Sequence, residues 1–310
     1  MALGLIDKFN GELRADPSLA LPSQVPIPRA KSGPLHRVEF TVEFVGPYSI
    51  PAGSASRLLD QDWYLALQSP KIWSMSAADN QWVPLVGTSV GSYDSLAICW
   101  PYLREDSRLT GAVADSLWRA SAPFADAVRR RPAALPPPED VDRLAEELQA
   151  IRDHLNIGVT FVFSPSSGWV SEREVWITAA NMGLTFAPQG AFEYRVNGTE
   201  LPLFSVTPIG ENEQFSLGSV LDNAVHSGLL IGFNVPRCPN PPKAIEGALR
   251  FGRLLCERFG GRLINDEDQF VDAATAARSI EQVQQAAITL TKTEIIPGSS
   301  EALALFPLEA

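Results

Sequence analysis

Apolar and polar residues alternate one for one over residues 38–44 (VEFTVEF). Val38, Phe40, Val42 and Phe44 fall on one side of an extended chain, and Glu39, Thr41 and Glu43 on the other. The alternation predicts a half-buried strand. Residues 227–236 (SGLLIGFNVP) repeat the pattern, with Leu229, Ile231, Phe233 and Val235 on a core face and Leu230, Gly232 and Asn234 on its reverse. Elsewhere the period lengthens. Residues 140–155 (DVDRLAEELQAIRDHL) space Val141, Leu144, Leu148 and Ile151 three and four apart. Residues 241–261 (PPKAIEGALRFGRLLCERFGG) carry Ile245, Ala248, Leu249, Gly252, Leu255 and Phe259 on one stripe. Both spacings predict amphipathic helices, the second opened by proline and closed by Gly260-Gly261.

Laid end to end, these signals repeat. After the first strand come a short helix around residues 54–60, strand-like runs in WYLALQSPKIWSMSA and WVPLVGTSV, and a further strand in SLAICWPYL. The run LTGAVADSLWRASAPFADAVRR sets Val113, Leu117 and Phe124 on one helical face, with a kink expected at Pro123. RPAALPPPED reads as a connector. From residue 157 the order starts again with the strand IGVTFVF. In SEREVWITAANMG, Ser171 and Glu174 form a capping-box pattern and Gly183 sits where a left-handed cap is expected. LTFAPQGAFEYRV and LPLFSVTPI read as strands joined through the turn signal Asn197-Gly198. SGLLIGFNVP, the long helix, the short strand RLINDED and a last helix over residues 274–287 complete the copy.

The order β-α-β-β-β-α-(β)-α therefore occurs twice, near residues 37–155 and 156–290. It predicts an α+β fold of two split β-α-β, ferredoxin-like domains, each an antiparallel-rich sheet with helices on one face. Residues 1–36, without aromatics from residue 15 onward and rich there in Pro, Ser and Ala, are expected as a flexible leader. Residues 291–310 are expected as a tail.

Composition narrows the function. A formal charge of −11 and a pI near 4.8 argue against a surface that tracks phosphates, and Arg129-Arg130-Arg131 reads as a solvated helix end. Cys99, Cys238 and Cys256 form no CxxC pair, so neither a disulfide framework nor a zinc site is encoded. His36, His154 and His226 fall in no metal-ligand spacing. Asp266, Glu267 and Asp268 are consecutive, point different ways and read as solvated. No GxSxG, Walker or GxGxxG motif is present. Trp63, Trp73, Trp82, Trp100 and Trp118 read as packing aromatics. These observations predict no catalytic residues, no metal and no cofactor. No window reaches the length of a membrane span and residues 1–14 lack the shape of a secretory signal, so a cytoplasmic protein is expected.

At PLFSVTPIGENEQF, SGLLIGFNVP and FGGRLINDEDQFVDAATAARSIEQVQQ, read in that order, residues 158–285 resemble the C-terminal domain family of the bacterial cell-division protein ZipA. Leu203-Phe204-Ser205, Val235-Pro236 and Gly260-Gly261 carry the likeness. The first half then reads as a divergent ZipA-like duplicate. In that family the sheet face free of helices forms a shallow apolar groove for the C-terminal tail of FtsZ. The resemblance implies partner-binding positions at Thr160, Val162, Gln189, Ala191, Ser205, Thr207, Ile209, Leu230, Gly232 and Asn234. It also implies departures. A family methionine falls on Ile209, a nearby lysine on Glu211, and the groove phenylalanine on Gly232. The alternative is a scaffold whose open sheet faces are buried between domains or in a homodimer, with no FtsZ site.

Overall fold

The alternating residues around Phe40 and Ile231 form the central strands of two separate sheets. The computed structural model describes residues 12–87, 90–105, 107–196, 199–210 and 214–308, so the expected turn at Asn197-Gly198 lies outside the described residues. Two units result. Arg29–His154 with the chain from Ser300 onward make the first sheet unit, and Leu155–Ser299 with the chain up to Pro28 make the second.

The first unit runs β1 (Glu39–Val45), β2 (Ile50–Pro51), α1 (Ala52–Ala55), a 3-10 turn (Ser56–Leu59), α2 (Gln61–Ala66), β3 (Lys71–Ser76) and β4 (Trp82–Pro84). It continues through β5 (Ser92–Pro101), α3 (Gly111–Ala127), β6 (Arg131–Leu135), a 3-10 turn (Pro138–Asp140) and α4 (Val141–Leu155). Its antiparallel sheet has the order β4-β3-β5-β1-β6, with β2 pairing β5. Phe40, Val42 and Phe44 stand beside Trp100, Ile98 and Leu96, all buried, and Phe44 meets Phe124 of α3 edge-on at 5.2 Å.

Several expectations for this unit change. The start of the strand-like run WYLALQSPKIWSMSA, residues 63–66, lies in α2, and only Lys71–Ser76 of it is a strand. Glu39 and Thr41 are buried rather than solvated. The Glu39 carboxylate accepts from the Leu35 N–H at 3.0 Å and from Lys71 Nζ at 2.8 Å, so its polarity is satisfied inside and alternation by itself could not reveal the cover. RPAAL is not a connector but the edge strand β6. It pairs only β1, and Phe44 faces Pro132; an edge tolerates a residue that has no N–H to give. Arg130 is no solvated helix end either. It is buried, and its guanidinium donates to the carbonyls of Phe44 (3.3 Å), Asp94 (2.8 Å) and Tyr48. Desolvation lowers its pKa from the usual arginine value. α3 continues through Pro123 as one helix.

The second unit runs β7 (Gly158–Ser164), β8 (Val170–Ser171), α5 (Glu172–Asn181), β9 (Thr185–Ala187), β10 (Ala191–Tyr194), β11 (Phe204–Ile209), α6 (Leu217–Leu221) and β12 (Val225–His226). Then come β13 (Gly228–Asn234), α7 (Pro241–Phe259), β14 (Arg262–Asn265) and α8 (Ala273–Lys292). After it, α9 (Ser300–Leu305) belongs to the first unit. The second sheet has the order β14-β7-β13-β11-β10-β9, wholly antiparallel, and β12 pairs β8 in a small separate ribbon. From the β14 edge its first three strands, β14-β7-β13, stand in the order of β6-β1-β5 in the first sheet, but the next strands are reversed: the later strand β11 lies beside β13, whereas the earlier strand β3 lies beside β5. The long helices fall at equivalent connections, α3 between β5 and β6 and α7 between β13 and β14.

α7 shows how the sequence builds this unit. Asn240 caps it by accepting from the Lys243 N–H at 3.1 Å, Pro241 starts the first turn, and Ile245, Ala248, Leu249, Gly252 and Leu255 are buried along one face. The exit needs glycine at Gly261, where φ is +115° and a Cβ would stand 2.3 Å from the Ser164 carbonyl oxygen. α5 begins at Ser171 without the expected side-chain cap.

The presumed leader is not loose where it is described. Leu21 is buried in the second unit's core and Leu13, Leu19, Val25 and Ile27 pack against it. The Leu21 N–H donates to the Met182 carbonyl at 3.0 Å, and Arg250 and Asn240 donate to the Ser18 and Pro26 carbonyls. Five widely spaced apolar residues cannot fold by themselves, but they can dock on a core already formed. The tail is likewise ordered. Ile295, Ala302, Leu305 and Phe306 are buried, and Lys31 pairs with Glu301 at 3.3 Å.

Candidate functional site

Alternation gives the second sheet two unlike faces. Phe161, Phe163, Phe204, Val206, Leu229 and Ile231 join the helices' apolar stripe in one buried core. On the reverse, strand register sets Ile264 beside Val162, Val162 beside Leu230, and Leu230 beside Thr207. This row crosses four strands, so at the usual strand spacing it is about 14 Å long. A polar row runs next to it, Thr160–Gly232–Ser205–Glu193. On the other side Ile209 faces Gly228.

Leu230 is the most exposed apolar side chain of the row, at 36 %. Thr160, Val162, Ser205, Thr207, Ile209, Gly232 and Ile264 are half-buried. At Gly232 a Cβ would come 3.2 Å from the Val159 carbonyl oxygen and 3.6 Å from both Leu230 Cδ2 and Thr160 Oγ1. The missing side chain therefore leaves a shallow notch beside Leu230. The Ser205 hydroxyl donates to the Gly232 carbonyl at 3.4 Å.

Of the ten expected positions, Thr160, Val162, Ser205, Thr207, Ile209, Leu230 and Gly232 come together here. Three do something else. Ala191 is buried. Gln189 lies exposed between β9 and β10, where its amide donates to Glu193. Asn234 closes the strand end, donating to Asn156 Oδ1 at 2.9 Å and accepting from the Arg237 N–H at 3.2 Å. Glu211 lies outside the described residues. Two participants were missed. Ile264 extends the apolar row, and Glu193, buried and joined to Arg195 Nε at 2.5 Å, ends the polar one. Alternation puts Glu193 on the face opposite Phe192 and Tyr194, and Ile264 opposite Leu263, but only the strand pairing brings them beside the row.

A second polar cluster lies inside the unit. Glu172 is fully buried. Its Oε1 accepts from the Ser216 N–H at 2.8 Å and from Trp176 Nε1 at 3.2 Å, and its Oε2 from His226 Nε2 at 2.9 Å. A carboxylate only accepts, so that imidazole nitrogen carries a proton. The cluster fastens α5 to β12 and to the segment before α6. Its groups point at one another. Among the described residues no three His, Cys, Asp or Glu side chains gather as a metal would require, and no helix is long and apolar enough to cross a membrane.

The second sheet is thus backed by helices on one side and carries on the other an apolar row flanked by hydroxyls. Residues 157–282 match the family model for ZipA, C-terminal FtsZ-binding domain. The second unit therefore carries a domain of that α+β type, in a family described by what it binds and not by a reaction. The match covers less than half of the 310 residues and does not extend to the first sheet unit. No curated protein matches the chain.

Proposed function

We propose that this protein is a non-enzymatic cell-division module that binds the C-terminal tail of FtsZ on the open face of its second sheet. The observation that carries the reading is Leu230. It ends the apolar row Ile264–Val162–Leu230, about 10 Å long (two strand spacings), on the helix-free side of the second sheet, and is 36 % exposed. Such grooves depend on a few desolvated anchors. Here Leu230, Val162, Ile264 and Ile209 supply apolar contact, while Gly232 leaves a notch where the family pattern has an aromatic. The expected affinity is therefore weak. The proposed place of work is the cytoplasm.

The test is titration of a labelled FtsZ tail peptide into the full chain and into Leu230→Asp, at low and moderate salt. Loss of one anchor is worth about 2 kcal/mol or more, roughly thirtyfold in affinity. Binding that survives Leu230→Asp unchanged would move the site elsewhere, and no binding at millimolar peptide would favour a scaffold.

A further inference from the structure

On the helix side of the second unit, a separate cavity of about 770 Å³ opens between α8 and the adjoining ends of β7 and β14. Its apolar floor is made by Ile157, Val159, Phe161, Val283 and Ala286. Ile157 and Val159 are partly buried there and offer the accessible part of the floor, while Phe161, Val283 and Ala286 are buried beneath. The cavity follows α8 from Arg278 to Thr289, which at the helical rise is about 16 Å.

The mouth is acidic, and the acids are held in place. Asp266 and Glu267 come from the turn after β14, and Glu281 from α8. Asn265, itself buried, accepts through Oδ1 from the backbone N–H groups of Glu267 (3.2 Å) and Gln269 (2.8 Å), which fixes the turn that carries the first two. The cation among the lining residues, Arg278, is engaged by neutral acceptors, Gln269 Oε1 at 3.3 Å and Thr275 Oγ1 at 3.2 Å. Three carboxylates thus surround an apolar trough with one guanidinium in partial opposition.

The geometry points to a second docking site: this trough takes a short protein segment that alternates apolar side chains with lysine or arginine. Length selects a segment over a compact small molecule, since about 16 Å accommodates roughly five extended residues. Charge selects the sequence, since an acidic rim attracts cations and repels acidic segments. Thr160 borders both this trough and the polar row beside Leu230, but Leu230 itself does not line the trough, so Leu230→Asp perturbs the open face alone.

The probe is a fluorescein-labelled peptide Leu-Lys-Leu-Lys-Leu titrated into the intact protein by anisotropy, with Leu-Glu-Leu-Glu-Leu and Gly-Lys-Gly-Lys-Gly as comparison peptides. The double reversal Glu267→Lys, Glu281→Lys should weaken the first peptide by about tenfold or more, because both charges flank the trough. The same reversal at Glu200→Lys with Asp222→Lys, exposed residues of the second unit that do not line the trough, should change it by less than about twofold, since separated exposed charges are screened. Leu230→Asp should leave it unchanged. Equal weakening by both double reversals, or equal binding of the glycine–lysine peptide, would overturn the inference by showing mere attraction to an acidic protein. Equal displacement by hexyltrimethylammonium would overturn it in favour of a small amphiphile, and no binding at millimolar peptide would overturn it outright.

Discussion

Replacing Glu172 by alanine removes the centre of the buried cluster in the second unit. The carboxylate is fully buried and accepts at three points, from His226, Trp176 and the Ser216 backbone. Breaking a buried pair by deleting one partner costs about 3–5 kcal/mol. The lower end applies here, because Ser216 lies at the surface and its N–H can turn to water. Glu172→Gln should cost less, about 1–2 kcal/mol. Its amide oxygen can still accept from Ser216 and Trp176, and its NH₂ can face His226 once that ring moves its proton to the other nitrogen. Urea unfolding followed by far-UV circular dichroism is the suitable assay, since seven tryptophans spread over the chain would mix signals in fluorescence. With a slope of about 2 kcal/mol/M, a loss of 3 kcal/mol moves the midpoint of the affected transition by about 1.5 M. If Glu172→Ala unfolded within about 0.5 M of the parent, or if glutamine proved as damaging as alanine, the cluster would not be the tie described.

Leu255→Ala, at a fully buried position on α7, should cost about 2–5 kcal/mol from lost burial and the cavity left behind; unfolding equal to the parent would mean that the α7 face is wrongly assigned. Asp272 caps α8 by accepting from the Thr275 N–H at 2.7 Å, and that bond holds its carboxyl below the usual aspartate value. Because the folded pKa is the lower one, its stabilisation is present at neutral pH and fades as pH falls through the acid range. Asp272→Asn should flatten that part of the stability–pH curve, and an unaltered curve would contradict the assignment. Gly261→Ala should destabilise by about 1–3 kcal/mol from its positive φ alone, and by more from the close Ser164 carbonyl; thermal melting without a shift would show that the exit of α7 relaxes freely.

How far the sequence reaches can be read from particular segments. VEFTVEF and SGLLIGFNVP were legible as strands because side chains on a strand alternate strictly, and α4 and α7 as helices because their apolar stripes recur at three and four residues. The likeness of residues 158–285 to a known family follows from that same local code. RPAAL was not legible. Its prolines are punctuation in any local reading, and only its place at the edge of the first sheet makes a strand of it.

The binding face divides in the same way. The sequence by itself determined which side of β13 is core, and therefore that Leu230 and Gly232 share the other. It could not say which strands lie alongside, because register is a pairing between distant segments. Ile264 joins Val162 and Leu230 only through the β14–β7–β13 pairing, and Glu193 meets Arg195 and Gln189 only once β10 is in place. Burial was equally out of reach for Glu39, Arg130, Glu172 and Leu21. Whether a charge is desolvated, or a proline-rich segment ordered, depends on what covers it, and that is decided by residues far away along the chain.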